Sequence, residues 1–230
     1  MEAWPPYVFP TPQGVASALA GTASRGMLAL AVWGSLRRLW VGYAIALVSG
    51  TVIGVLMAHA RWFKNTFGLL VLGLQTLPSI CWLPLAILWF GLSEKAIVFV
   101  VVMGAFLSIA LAAEDGIRNT PGVFVQAARN LGAGGPRLYR TVILPSALPS
   151  FVTGMKLGWS FAWRSLMAGE LIYAVPGLGY LLMMGRELND MNQVVGVISV
   201  IMLTGLLTDK LVFSVMERAL RARWGNQPGR

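Results

Sequence analysis

Three ionisable side chains lie inside one long apolar stretch. Lys156, Arg164 and Glu170 fall within residues 148–172, with Arg164 near the middle. On insertion scales an arginine at the centre of a bilayer costs about 2.5–3.5 kcal/mol, so it must face a partner or a wet pathway. Two roles stay open for Arg164. It could favour an anionic solute, or it could pair with a carboxylate or with helix carbonyls. Asp209 and Lys210, near the inner end of the last apolar run, read as snorkelling or paired groups. Little else in the chain could do chemistry. Its one cysteine, Cys81, lies in an apolar run, which excludes an intrachain disulfide framework and a thiolate metal site. Its one histidine, His59, ends an apolar run beside Arg61 and reads as structural. The few carboxylates show no paired catalytic spacing.

A second group of residues carries shape. Gln126-Ala-Ala-Arg-Asn-Leu-Gly132 is followed by Val142-Ile-Leu-Pro145, in a basic segment between two apolar runs. Pro121 suits a helix first turn. Phe124, Ala128 and Leu131 then share one face. Gly132-Ala-Gly-Gly-Pro136 stops the helix, and a second short helix is expected over 136–143, ending before Pro145 and Pro149. Ala127 and Ala128 keep the first helix flat, and Gly132 permits a sharp bend. Such an elbow can enter a groove on another protein. An ordinary connecting loop is the other reading.

The elements around these residues are apolar. Hydrophobic residues make up 57% of the 230, charged residues 12%, and mean hydropathy is +0.70. Soluble domains are typically about 25% charged. The net charge of +9 does not imply nucleic acid, because the basic residues flank apolar runs as topology charges do. Five continuous stretches reach the roughly 20 residues of a spanning helix. They are Leu39–His59, Thr66–Phe90, Ala96–Ala113, Leu148–Ile172 and Val194–Met216. A sixth, Gln13–Val32, is weaker and carries Arg25; it reads as an interfacial helix or a weak span. The predicted fold class is therefore all-α and polytopic. Residues 1–38 form an N-terminal segment, 39–220 a transmembrane domain with a loop at 114–147, and 221–230 a basic tail.

Within these spans, Gly50 with Gly54 and Gly154 with Gly158 allow close helix approach. Packing inside one subunit is favoured over an interface between subunits. Pro78 and Pro84 should bend the second span, making it a candidate pathway wall. Arginines and lysines concentrate at 61–64, 118–140 and 218–230, which the positive-inside rule places in the cytoplasm. Arg37, Arg38, Lys95 and Arg186 then read as loop charges on the opposite side. Trp40, Trp62 and Trp89 fall near span ends, as in an aromatic belt.

The elbow resembles the signature loop of ABC-importer permeases: Glu-Ala-Ala, three residues, Gly, nine residues, Ile, one residue, Leu-Pro. Gln126, Ala127, Ala128, Gly132, Val142, Leu144 and Pro145 match in spacing. Gln126 departs from the pattern by losing a charge, and Val142 stands where Ile is usual. The likeness extends over about Tyr7 to Trp224. Residues 83–92, the Glu170 region and Pro176-Gly-Leu-Gly-Tyr180 are similar to the nitrate, sulfonate, taurine and bicarbonate branch.

The resemblance implies a type I importer permease in a bacterial inner membrane, with the loop and the C-terminus cytoplasmic. Gln126, Ala127, Ala128, Leu131, Gly132, Leu144 and Pro145 would dock a dimer of ATPase subunits. The chain itself has no Gly-x-x-x-x-Gly-Lys-Ser/Thr phosphate loop, so ATP and Mg would bind the partner and this chain would need no cofactor. The other implied partners are a second permease copy, an extracytoplasmic solute-binding protein and the lipid bilayer. Phe9-Pro-Thr-Pro12 resembles a stretch that follows a further helix in family members, a helix this chain would lack. Candidate pathway residues are Arg164, Glu170, Lys156, Pro78 and Pro84. Candidate outer-gate residues are Pro176, Gly177 and Gly179. The rival is an ATP-independent carrier or channel using Arg164 and Glu170 as a relay.

Overall fold

Prolines, glycines and one buried ion cluster decide where the helices stop and how they pack. The structure, a computed structural model, describes residues 10–60, 66, 68–173 and 175–224, with position 219 and the last four described by backbone alone. The elements are α1 (Pro12–Ser24), α2 (Met27–His59), α3 (Leu69–Gln75), a 3-10 turn (Ser79–Trp82), α4 (Leu83–Phe90), α5 (Glu94–Arg118), α6 (Gly122–Asn130), α7 (Gly135–Leu138), a π-helical turn (Tyr139–Ile143), α8 (Leu144–Ile172), α9 (Leu178–Glu187) and α10 (Met191–Trp224). No strand occurs among the described residues.

The expected segment Gln13–Val32 is not one helix. Gly26, at φ +71°, breaks it into α1 and the start of α2. At about 1.5 Å per residue, the 13 residues of α1 reach only about 20 Å, short of a bilayer core. Thr11 caps α1 by accepting the Gly14 amide proton at 3.2 Å.

α2 runs unbroken for 33 residues, beginning at Met27 rather than Leu39. The arginines expected in a loop, Arg37 and Arg38, lie inside it. An arginine is tolerated there because its charge is matched within the bundle, and Arg38 is only 4% exposed.

α5 is the axis of the bundle, flanked along its length by α2 and α8. Small residues allow this. A Cβ on Gly54 would meet Ala110 O at 2.3 Å, and one on Gly154 would meet Ala112 Cβ at 1.9 Å. Gly50 and Gly158 likewise face α5, so both glycine pairs pack within one subunit. Tyr43, Trp159 and Phe213 fill the core beside them.

Three helices are long and apolar enough to cross a bilayer among the described residues: α2, α5 and Met191–Arg218 of α10. The expected span Thr66–Phe90 is instead a broken pair, α3 and the segment from Ser79 to Phe90, bent by 104°. Pro78 makes the break, with ψ 135° and no N–H to continue the helix. Pro84 does not bend anything. It occupies the first turn of α4, where a missing N–H is harmless. α8 has the length, with 29 residues, but is not among the three apolar spans, because three charges and several Gly and Ser dilute it. Of its charges, Glu170 is buried and paired, Lys156 pairs with Glu217, and Arg164 is exposed.

The helix after the elbow does not end before Pro145 and Pro149. The π-helical turn delivers the chain into α8, and the Leu144 amide bonds Tyr139 O. Pro145 sits in the first turn of α8, and Pro149 lies inside the helix. A proline needs room against the preceding turn, and one wide turn supplies it.

Candidate functional site

The break at Pro78 opens a cavity of about 320 Å³ between the broken pair, α5 and α8. Gln75, Thr76, Ser79, Gly104 and Ser108 line it together with Arg164. Arg164 is exposed. Its Nη2 donates to Ser160 Oγ at 3.1 Å, one helical turn back, and its guanidinium lies 5.1 Å from the Phe161 ring centroid. It makes no ion pair among the described residues. A cation so placed, among hydroxyls and one amide, suits an anion or water. Gln75, Ser108 and Phe161 also line an adjoining groove of about 670 Å³, which runs on to Glu114 and Asp115.

At the other end of α8 the charges are closed off. Glu170 is fully buried, and Arg38 Nη1 donates to its Oε1 at 2.8 Å. The Ser35 hydroxyl lies 2.8 and 2.7 Å from the two carboxylate oxygens, and the Gly179 amide donates to Oε2 at 3.0 Å. Ser35 Oγ in turn accepts from the Leu178 amide at 2.9 Å. Arg38 Nη2 donates to Pro176 O at 3.0 Å and to Glu94 Oε1 at 2.8 Å, and Arg37 pairs with the other Glu94 oxygen. A carboxylate without water needs a cation and several donors, and this one has them.

These contacts hold the expected gate residues. A Cβ on Gly177 would meet Glu170 Oε2 at 2.5 Å, and one on Gly179 would meet Glu170 Cβ at 2.5 Å. Pro176, Gly177 and Gly179 therefore form a lip fastened to α2 and α8. Ser35 and Glu94 were not singled out by the sequence, in which Arg38 reads only as a loop charge. The available signal was a serine and an arginine three residues apart, on one helical face, with a carboxylate inside an apolar run needing a cation.

The other candidates lie apart. Pro78 shares the cavity of Arg164. Lys156 pairs with Glu217 at 2.8 Å and, with Asp209, lines a separate cavity of about 520 Å³. Arg61, Lys64 and Trp62 fall outside the described residues, as do Phe9 and positions 225–230 of the basic tail.

At the opposite end of the bundle from the lip, α6 begins after Pro121 and stops in a Schellman turn. The Ala133 amide reaches back to Ala128 O at 2.9 Å, and Gly132 adopts φ +80°. Gly135, at φ +48°, makes the second bend. Gln126, Ala127 and Gly132 are exposed, and so are Val123 at 72%, Phe124 at 50% and Leu131 at 87%. Leu144 is 43% exposed, while Ala128 and Pro145 are half-buried. The elbow is thus an ordered shape whose apolar face stays uncovered among the described residues. Tyr139, beneath it, stacks on His59 at 5.1 Å, and burial pushes its hydroxyl above its ordinary pKa.

Known proteins resemble this chain. SsuC of Escherichia coli (strain K12), whose name assigns it to aliphatic sulfonates transport, is 34% identical over 221 residues, covering 94% of this chain and 82% of its own. A protein of Methanocaldococcus jannaschii named as an ABC transporter permease is 32% identical over 177 residues, 76% of this chain and 66% of its own length. Among solved structures, a chain of the MetNI methionine ABC transporter in an inward-facing conformation superposes with a TM-score of 0.68, over 87% of this chain and 97% of that one, at 22% identity. Residues 50–224 match the model of binding-protein-dependent transport system inner membrane components. The chain therefore belongs to that family, the membrane-spanning permeases of ABC importers.

Proposed function

We propose that this permease subunit carries a small anion past Arg164 and is driven by a separate cytoplasmic ATPase docked on the α6–α7 elbow. One observation carries the anion: Arg164 is a mid-helix cation that lines a polar cavity at a broken span and has no carboxylate partner among the described residues. A cation left unmatched within a membrane protein is a standing invitation to a counter-charge. The sulfonate named for SsuC is of that class.

The remaining assignments follow the same frame. The elbow and the C-terminus face the cytoplasm of a bacterial inner membrane, and the lip faces outward, toward a solute-binding protein. α1 lies along the interface. A second copy of the chain closes the open side of the groove, and an ATPase dimer seats on the two elbows, with the apolar face of Phe124 and Leu131 as its contact. ATP and Mg belong to that partner. The rival relay loses its second member, since Glu170 is buried and held by Arg38.

The test is reconstitution in vesicles with its ATPase and binding protein. Uptake of an anion that the binding protein captures should require ATP. Gly132→Leu forces a bulky residue into a left-handed backbone, so ATPase co-purification should be lost while membrane insertion survives. Uptake by the permease alone, without ATP, would overturn the proposal.

A further inference from the structure

We infer that Glu170 and Arg38 are positioning residues that fasten the lip and the first turn of α9 to α2, so the lip stays a fixed wall throughout the transport cycle. Four observations carry this. The Glu170 carboxylate has no exposure, and its oxygens take contacts from Arg38, Ser35 and the Gly179 amide. The lip also bonds α2 directly, through Pro176 O to Arg38 and through the Leu178 amide to Ser35. Glycines 177 and 179 bring their backbone to the Glu170 side chain, leaving no room for a methyl group. Arg38 extends the tie to α5 through Glu94. Opening the lip would take the Gly179 amide from Glu170, the Leu178 amide from Ser35 and Pro176 O from Arg38, leaving several buried polar groups without partners at once. Glycines 177 and 179 are therefore there for close approach and not as hinges, and neither has a left-handed φ. Access must change by moving whole bundles past one another.

The inference rests on the importer reading, and its test separates the two. Cys81 is the only native cysteine. In a Cys81→Ser background, Ser35→Cys and Leu178→Cys place one thiol on each side of the tie, where Leu178 N and Ser35 Oγ are 2.9 Å apart. The complex is assembled with its ATPase and binding protein, and stimulated ATP hydrolysis is compared before and after oxidation.

We expect the disulfide to form and hydrolysis to change by less than about twofold. A larger loss that dithiothreitol reverses would show that the lip must part from α2, and would overturn the inference. No stimulation even in the reduced protein would defeat the importer reading instead.

Glu170→Gln gives a second measurement. The amide keeps the shape but turns an N–H₂ toward the donors around it. Hydrogen exchange at the Leu178 and Gly179 amides should then rise about tenfold or more, with α5 unchanged. Unchanged exchange at those two amides would count against the tie. Should that variant not fold, the disulfide experiment still decides, because it leaves Glu170 intact.

Discussion

Arg38 and Arg164 are the same side chain in two accounts of charge. Arg38 is 4% exposed and answers two carboxylates from two helices. Arg164 is exposed to a cavity and answers a serine hydroxyl and an aromatic ring. The difference teaches that burial alone does not mark a functional charge in a membrane protein. The complete ion cluster is structural. The incomplete one faces a polar hollow beside a broken helix, and it is there that we propose a solute's charge is recognised.

Substitutions separate the two. The largest effect is expected for Arg38→Ala, which strands Glu170 without a cation. Loss of one partner from a buried pair costs about 3–5 kcal/mol, so thermal unfolding in detergent should show a steep drop. The double replacement Arg38→Met with Glu170→Leu should recover much of that, since a buried pair is often no better than apolar packing. A double variant as unstable as the single one would mean that the cluster does more than balance charge.

Arg164→Gln should behave oppositely. Stability should stay within about 0.5 kcal/mol, while ATP-driven anion uptake falls by about ten- to a hundredfold, the worth of a charged hydrogen bond or two. Arg164→Lys should land between, keeping the charge and losing the planar fork. If Arg164→Gln lowers the melting temperature as Arg38→Ala does, the contrast between the two arginines fails. The smallest effect belongs to Glu94→Gln. That carboxylate is 43% exposed, so its loss should cost less than about 1 kcal/mol and shrink further in salt.

Much of this was legible in the sequence, and the gaps have physical causes. The glycine pairs at 50/54 and 154/158 announced close packing, because nothing else explains small residues at that spacing in apolar helices. Gly132 and the glycines after it announced the elbow. Pro78 announced the break, although Pro84 looked equally suited and proved innocent by standing one residue into a new helix. Arg37 and Arg38 misled, since charge in an apolar chain reads as a loop until its partner is known. That partner, Glu170, lies 132 positions away, and no local pattern links the two. The same blindness left the partners of the α8 charges open: Glu170 is closed off against α2, while Arg164 stays exposed.

Because α7, the π-helical turn and α8 follow without a loop, the elbow and Arg164 sit on one continuous shaft. The shaft is gripped at its far end, where Glu170 is locked. A push at Gly132 therefore cannot simply slide it. A rod held at one end and packed along α5 moves with the bundle around it, and that motion would carry the Arg164 guanidinium with it. If the proposed ATPase docks at the elbow, its stroke would reach the proposed solute site through one continuous helix.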